Sequence, residues 1–127
     1  MGFEKLTSKE KKFYLAKIER VLASKKLFLQ NEFSMPDLAK ETGIKLHTIS
    51  YIINSEINHH FKVYINLKRI DYFKGKINDA DWKDLTAGKM ILASGFKSRT
   101  TGYRAFKKHE GIAPSEYLKS YRVHTIS

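Results

Sequence analysis

Apolar residues recur along this chain at three- and four-residue intervals, and the strict alternation of a half-buried strand is nearly absent. This pattern predicts an all-α protein. A first helix is expected over 8–29, with Tyr14, Leu15, Ile18 and Leu22 as its apolar stripe. Ser8 is its expected cap, with Lys11 at the third helical position, so the capping box is incomplete. Ser34 caps a short helix over 36–42, where Pro36 suits the first turn and Gly43 a left-handed end. A helix over 46–55 should bury Ile49, Ile52 and Ile53. A long helix over 61–77 should bury Phe61, Tyr64, Ile65, Ile70, Phe73 and Ile77. At 1.5 Å per residue it spans about 25 Å. Trp82 is expected to anchor the polar loop that follows. Thr86 caps a short helix ending at Ser94 and Gly95, a further helix covers 98–109, and Ser115 is the expected cap of a last one to Tyr121.

The chain resembles itself at a spacing of 52 to 53 residues. Residues 38–45 align with 90–97, so that Gly43 matches Gly95, Ile44 matches Phe96 and Lys45 matches Lys97. After a turn one residue longer in the second copy, Ile53 matches Phe106, Asn58 matches Gly111, Phe61 matches Pro114 and Tyr64 matches Tyr117. Each copy reads as a capped short helix, a glycine turn, an apolar plug and a second helix. That is the helix-turn-helix pattern, in which the second helix can present its outer face to a DNA major groove. The expected division is an N-terminal helix or linker (1–30), a first helix-turn-helix unit (31–60), a connecting helix (61–78), a second unit (79–121) and a frayed tail (122–127).

Charge narrows the partner. The chain has 127 residues with 24 Lys and Arg against 13 Asp and Glu, a net charge of +11. So basic a domain suits polyanions, nucleic acid before anionic lipid. The presumed reading faces carry the right groups. The first offers Lys45, His47, Thr48, Ser50, Tyr51 and Asn54; the second offers Lys97, Ser98, Arg99, Thr100, Thr101, Tyr103, Arg104, Lys107 and Lys108. Arginine can bond guanine bidentately, Asn, Ser and Thr can read other base edges, and Lys suits phosphate. The lysines of the first 30 residues read as a solvated surface.

Other chemistry finds little support. There is no cysteine, which excludes disulfides, thiolate metal sites and a cysteine nucleophile. Gly88-Lys89 lacks the rest of a phosphate loop, and His59-His60 lacks the context of a zinc protease. His109 and His124 are isolated, and Asp79, Asp81 and Asp84 lack the glycine and glutamate of a calcium loop. No catalytic residue, metal site or cofactor is expected. No stretch reaches the length of a membrane span or looks like a signal peptide.

The residues resemble the DNA-binding domain of the AraC/XylS family of bacterial transcription regulators, from about Leu29 to Leu118. The most specific part is Gly95-Phe96, then Arg104 to Lys108, then Gly111 to Tyr117. In the first half Leu38, Gly43, residues 47–54, Phe61, residues 64–66 and Arg69-Ile70 also fit, in the manner of the Bacteroidetes-type branch. The resemblance implies a homeodomain-like domain of about seven helices, cytoplasmic and non-enzymatic, with two recognition helices in successive major grooves. It maps base contacts onto His47, Ser50 and Tyr51, and onto Arg99, Thr100 and Arg104. It implies double-stranded DNA as partner, with RNA polymerase and a sensing domain as further candidates. The competing reading is a helical module that binds RNA or an acidic partner by charge alone. Three positions depart from the family pattern. Gly102 replaces a large apolar residue and is expected to lose core packing in the second recognition helix and to cost about 1 kcal/mol of helix propensity. Ile91 replaces alanine and is expected to crowd the same unit. Gly88 weakens the short helix that contains Ile91.

Overall fold

The structure is a computed structural model that describes residues 6–123. Among these residues there are seven α-helices and no strand. They form two compact units, one of residues 6–27 and Glu32–Ile65, the other of Phe28–Asn31 and residues 66–123.

The first unit contains α1 (Ser8–Lys25), α2 (Met35–Thr42), α3 (Leu46–Ile52) and the first turn of α4 (Phe61–Lys76). Helix α1 is capped one residue earlier than expected. The Thr7 hydroxyl accepts from the Glu10 amide at 3.1 Å, and the Glu10 carboxylate accepts from the Thr7 amide at 3.0 Å. Glu10, not Lys11, therefore sits at the third position and the capping box is complete. The helix also stops short of Leu29, because Lys26 takes a left-handed conformation (φ 48°) and a 3₁₀ turn follows over Leu27–Leu29. Ile18 and Leu22 are fully buried, Tyr64 Oη donates to Glu19, and Lys25 pairs with Glu41 at 3.4 Å. Helix α1 thus packs within its own unit.

Helix α2 has the expected Ser34 cap, reinforced by Asp37, and ends at Gly43 with φ 74°. Ile49, Ile52 and Ile53 are buried on the inner side of α3 as the spacing predicts. Beyond Ile52 the helix widens into a π turn over Ile53–Ile57 and closes on Asn58, at φ 63°. Asn58 and Gly111 (φ 84°) both take the left-handed form, as their equivalence in the repeat requires.

The second unit contains the rest of α4, a 3₁₀ turn (Ala80–Trp82), α5 (Ala87–Ala93), α6 (Arg99–Glu110) and α7 (Pro114–Tyr121). Its core includes Ile70, Phe73, Met90, Ile91, Phe96, Phe106 and Leu118. Phe73 meets Phe106 edge-on at 4.9 Å, and Phe106 meets Tyr117 at 5.4 Å. The half-buried Trp82 rests edge-on against Tyr72. Helix α7 starts at Pro114 with Ala113 as its cap residue and no side-chain cap. Ser115 does not cap it, because the helix starts one residue earlier and Ser115 already lies inside its first turn. Residues 122 and 123 are pinned rather than frayed. Arg122 Nε donates to the Ile77 carbonyl at 2.9 Å, and the Val123 amide donates to Asn78 Oδ1 at 2.8 Å. Residues 124–127, and with them His124, lie outside the described residues.

Two features of this unit were not anticipated. Arg69 is 8% exposed. It donates from Nε to the Phe28 carbonyl at 2.7 Å, from Nη2 to the Gln30 carbonyl at 2.9 Å, and from Nη1 to Asn66 Oδ1 at 3.3 Å. Burial pushes its pKa below the usual arginine value, while these three acceptors satisfy the fork of the cation. The strap 28–31 is therefore built into the second unit. Gly95 (φ 105°) lies against it: a Cβ there would collide with the Phe28 carbonyl and stand 2.9 Å from Leu29 Cα.

The second feature joins two departures into one. A Cβ on Gly102 would overlap Ile91 Cγ2 and stand 3.0 Å from Phe96 Cγ. Ile91 occupies the volume that Gly102 vacates. The expected loss of packing at one site and crowding at the other offset each other, and Ile91, Phe96 and Phe106 are all buried.

Candidate nucleic-acid interface

Each reading face is built by a glycine turn followed by a helix. In the first unit Thr42, just before Gly43, returns its hydroxyl to the Leu38 carbonyl at 2.8 Å. In the second Ser94, just before Gly95, does the same to the Met90 carbonyl at 2.7 Å. Both hydroxyls are buried, and Ile44 and Phe96 plug the angles after the glycines. The sequence reading passed over this hydroxyl pair; its signal is a small hydroxylated residue preceding the glycine in both copies.

On α3, Lys45, His47 and Asn54 are exposed, and Ser50 and Tyr51 are half-buried. Asn54 Nδ2 donates to Ser50 Oγ at 3.5 Å, and Lys11 of α1 stands over the Tyr51 ring at 5.1 Å. Thr48 must be corrected. It is 4% exposed and lies next to Ile49 on the inner side, so it is not on the outer face expected of it. Leu46, the first residue of α3, is exposed and had not been considered.

On α6, Lys97, Arg99, Thr100, Thr101, Arg104, Lys107 and Lys108 are exposed, and Tyr103 is half-buried against the core. Thr100, Arg104, Lys107 and Lys108 follow at helical intervals and share one face. Ser98 is occupied as the helix cap, accepting from the Thr101 amide at 3.1 Å and meeting its hydroxyl at 3.0 Å. The acid at the end of α6, Glu110, pairs with Lys74 at 3.2 Å, and that hydrogen bond raises the Lys74 pKa. The α6 face up to Lys108 therefore carries cations and hydroxyls without an acid. Among the described residues no group of side chains could hold a metal ion. No helix there is long and apolar enough to cross a membrane.

Three solved structures share this fold. The C-terminal domain of AraT, a response regulator from Geobacillus stearothermophilus, has a TM-score of 0.71 at 16% identity over 98% of this chain and 94% of its own. The C-terminal domain of the two-component response regulator YesN from Fusobacterium nucleatum has a TM-score of 0.67 at 17% identity, covering 84% and 98%. The DNA-binding domain of the global transcriptional factor AdpA, solved in complex with a target DNA, has a TM-score of 0.67 at 18% identity, covering 84% and 93%. No curated protein matches the sequence. A helix-turn-helix domain family model matches residues 38–120, most of the chain. The chain belongs to the AraC-type helix-turn-helix family, whose members are non-enzymatic DNA-binding regulators of transcription.

Proposed function

We propose that this domain binds double-stranded DNA in a sequence-specific manner, with α3 and α6 in successive major grooves. The observation that carries the reading is the acid-free face of α6, where Thr100, Arg104, Lys107 and Lys108 are all exposed, with Arg99 exposed at the leading end of the same helix. Arg99 and Arg104 are assigned to guanine edges, Thr100 to a further base edge, and Lys97, Lys107 and Lys108 to phosphates. In the first unit His47, Ser50, Tyr51 and Asn54 read bases and Lys45 holds phosphate. The DNA-bound AdpA domain supports the assignment of the fold to a duplex partner. Helix α4 lends its first turn to one unit and its remainder to the other. As an AraC-type regulator the domain would work in the bacterial cytoplasm and act on RNA polymerase. A sensing domain would supply its signal where the chain is part of a longer protein.

Selection from random duplexes tests this reading. The expected result is a bipartite motif with half-elements about 34 Å, one helical turn, apart. Affinity for it should fall with salt by about one power of concentration per phosphate contact. No enrichment would instead favour binding of RNA or an acidic partner by charge alone.

A further inference from the structure

Gly88 stands within α5, where a glycine weakens the helix. Unlike Gly43, Gly95 and Gly111 it has no positive φ to justify it, so what matters is the space it leaves. A Cβ there would stand 3.0 Å from Arg99 Nε, 3.1 Å from Arg99 Cδ and 3.5 Å from Arg99 Cζ. The outer stem of Arg99 thus lies across the bare backbone of Gly88. Gly88 is buried while Arg99, the first residue of α6, stays exposed.

We infer that Gly88 is the seat of Arg99: by lacking a side chain it leaves the space in which this arginine settles against α5 at the leading end of α6. Gly88 is then a positioning residue for a base-reading group, and the inference rests on the DNA-binding reading above. A long side chain ordered before it meets the duplex loses less freedom on binding. With its Nε and the adjoining Cδ laid against Gly88, the guanidinium has fewer poses open to it, and bidentate recognition of a guanine edge needs its nitrogens in one plane. The equivalent first position of α3 is Leu46, so the two heads enter a groove with different chemistry.

The test combines DNA binding with a measurement that needs no DNA. Gly88→Ala favours the helix and should keep Tm, while the bulkier Gly88→Gln, at a buried position, displaces Arg99 further. Each should lose affinity for the selected duplex, Gly88→Ala by about three- to tenfold, the usual cost of freeing one long side chain, and Gly88→Gln by more. Affinity for random duplex should not change. In an Arg99→Ala background neither change at Gly88 should reduce binding further. Without DNA, the Nε–Hε order parameter of Arg99 in NMR relaxation should drop in both Gly88 variants. An unchanged order parameter overturns the seat, as does an equal loss with and without Arg99 or an equal loss on random duplex. An ordered Arg99 that loosens in the variants, in a protein that prefers no duplex sequence, upholds the seat and sinks the DNA reading.

Discussion

The two units repeat one plan with different materials. The first closes its angle with aliphatic residues, ends α3 in a π turn, and offers a sparsely charged face of Lys45, His47, Ser50, Tyr51 and Asn54. The second closes the same angle with Phe96, clusters Phe73, Phe106 and Tyr117, buries an arginine, and presents a full three-turn α6 with five exposed basic residues counting Lys97: Lys97, Arg99, Arg104, Lys107 and Lys108. The contrast teaches that a helix-turn-helix angle constrains a glycine, a plug and a buried hydroxyl, and leaves the stiffness and charge of the reading helix free. The aromatic packing behind α6 suits the arginines, because fixed donors discriminate between bases better than mobile ones.

Arg69→Ala should sharpen the contrast most. It leaves the Phe28 and Gln30 carbonyls without their donor and should cost about 2–4 kcal/mol, read from urea unfolding. The second unit's amides should lose hydrogen-exchange protection before those around Ile18 and Ile49; equal loss in both units would break the comparison. Next comes the pair at the α5–α6 contact. Gly102→Ala should cost about 1–3 kcal/mol through overpacking, and Ile91→Ala added to it should recover most of that loss. Additive losses would show that the two positions do not share the volume. For binding, Arg104→Ala should cost about 1–3 kcal/mol on the selected duplex and less on random DNA. Ser50→Ala on α3 should cost less than Arg104→Ala on the same duplex. Equal losses for Arg104→Ala on selected and random duplex would reject a base-reading arginine.

The smallest effect is expected from pH. Hydrogen bonds from Thr7 and Ser34 hold the Glu10 and Asp37 carboxyls in the first unit below their ordinary values, and the Asp81 amide does the same for Asp79 in the second. A depressed carboxyl stabilises above the unfolded pKa and loses that contribution as pH falls through the folded one, so acid should loosen both units. Lys74 and Lys76 are raised, first by their hydrogen bonds to Glu110 and Asp79. Their contribution is complete below the ordinary lysine value and is lost as pH rises through the elevated one. Alkali should therefore weaken the second unit, measured as residue-resolved thermal melting by NMR at mild and strongly alkaline pH.

Much of this was legible beforehand, for stated reasons. Periodicity places Ile49, Ile52, Phe73 and Phe106 inside because a helix buries residues three and four apart. The self-similarity of the chain marks Gly43, Gly95, Asn58 and Gly111, since each sits where the backbone must turn left-handed. What stayed hidden depends on contacts distant in sequence. Arg69 reads as another surface cation until the Phe28 and Gln30 carbonyls are seen around it. Gly102 and Ile91 look like two defects until they prove to share one volume. Of the candidate face, the exposed positions of α6 were legible from their spacing. Thr48 was misplaced because its hydroxyl was read as an outer group, whereas it stands four residues before Ile52 and so on the face that α3 buries.

The strap at Phe28–Asn31 has a consequence for dissecting the molecule. Because these residues belong with α5 and α6 while the stretches on either side belong with α2 and α3, the polypeptide passes between units at three points, near 27, 31 and 65. No single scission yields two self-sufficient halves. A fragment starting at Asn66 would carry Arg69 without the Phe28 and Gln30 carbonyls, and one ending at Ile65 would retain a strap with nothing to hold, so genetic bisection would report on a severed clasp rather than on an isolated reading head.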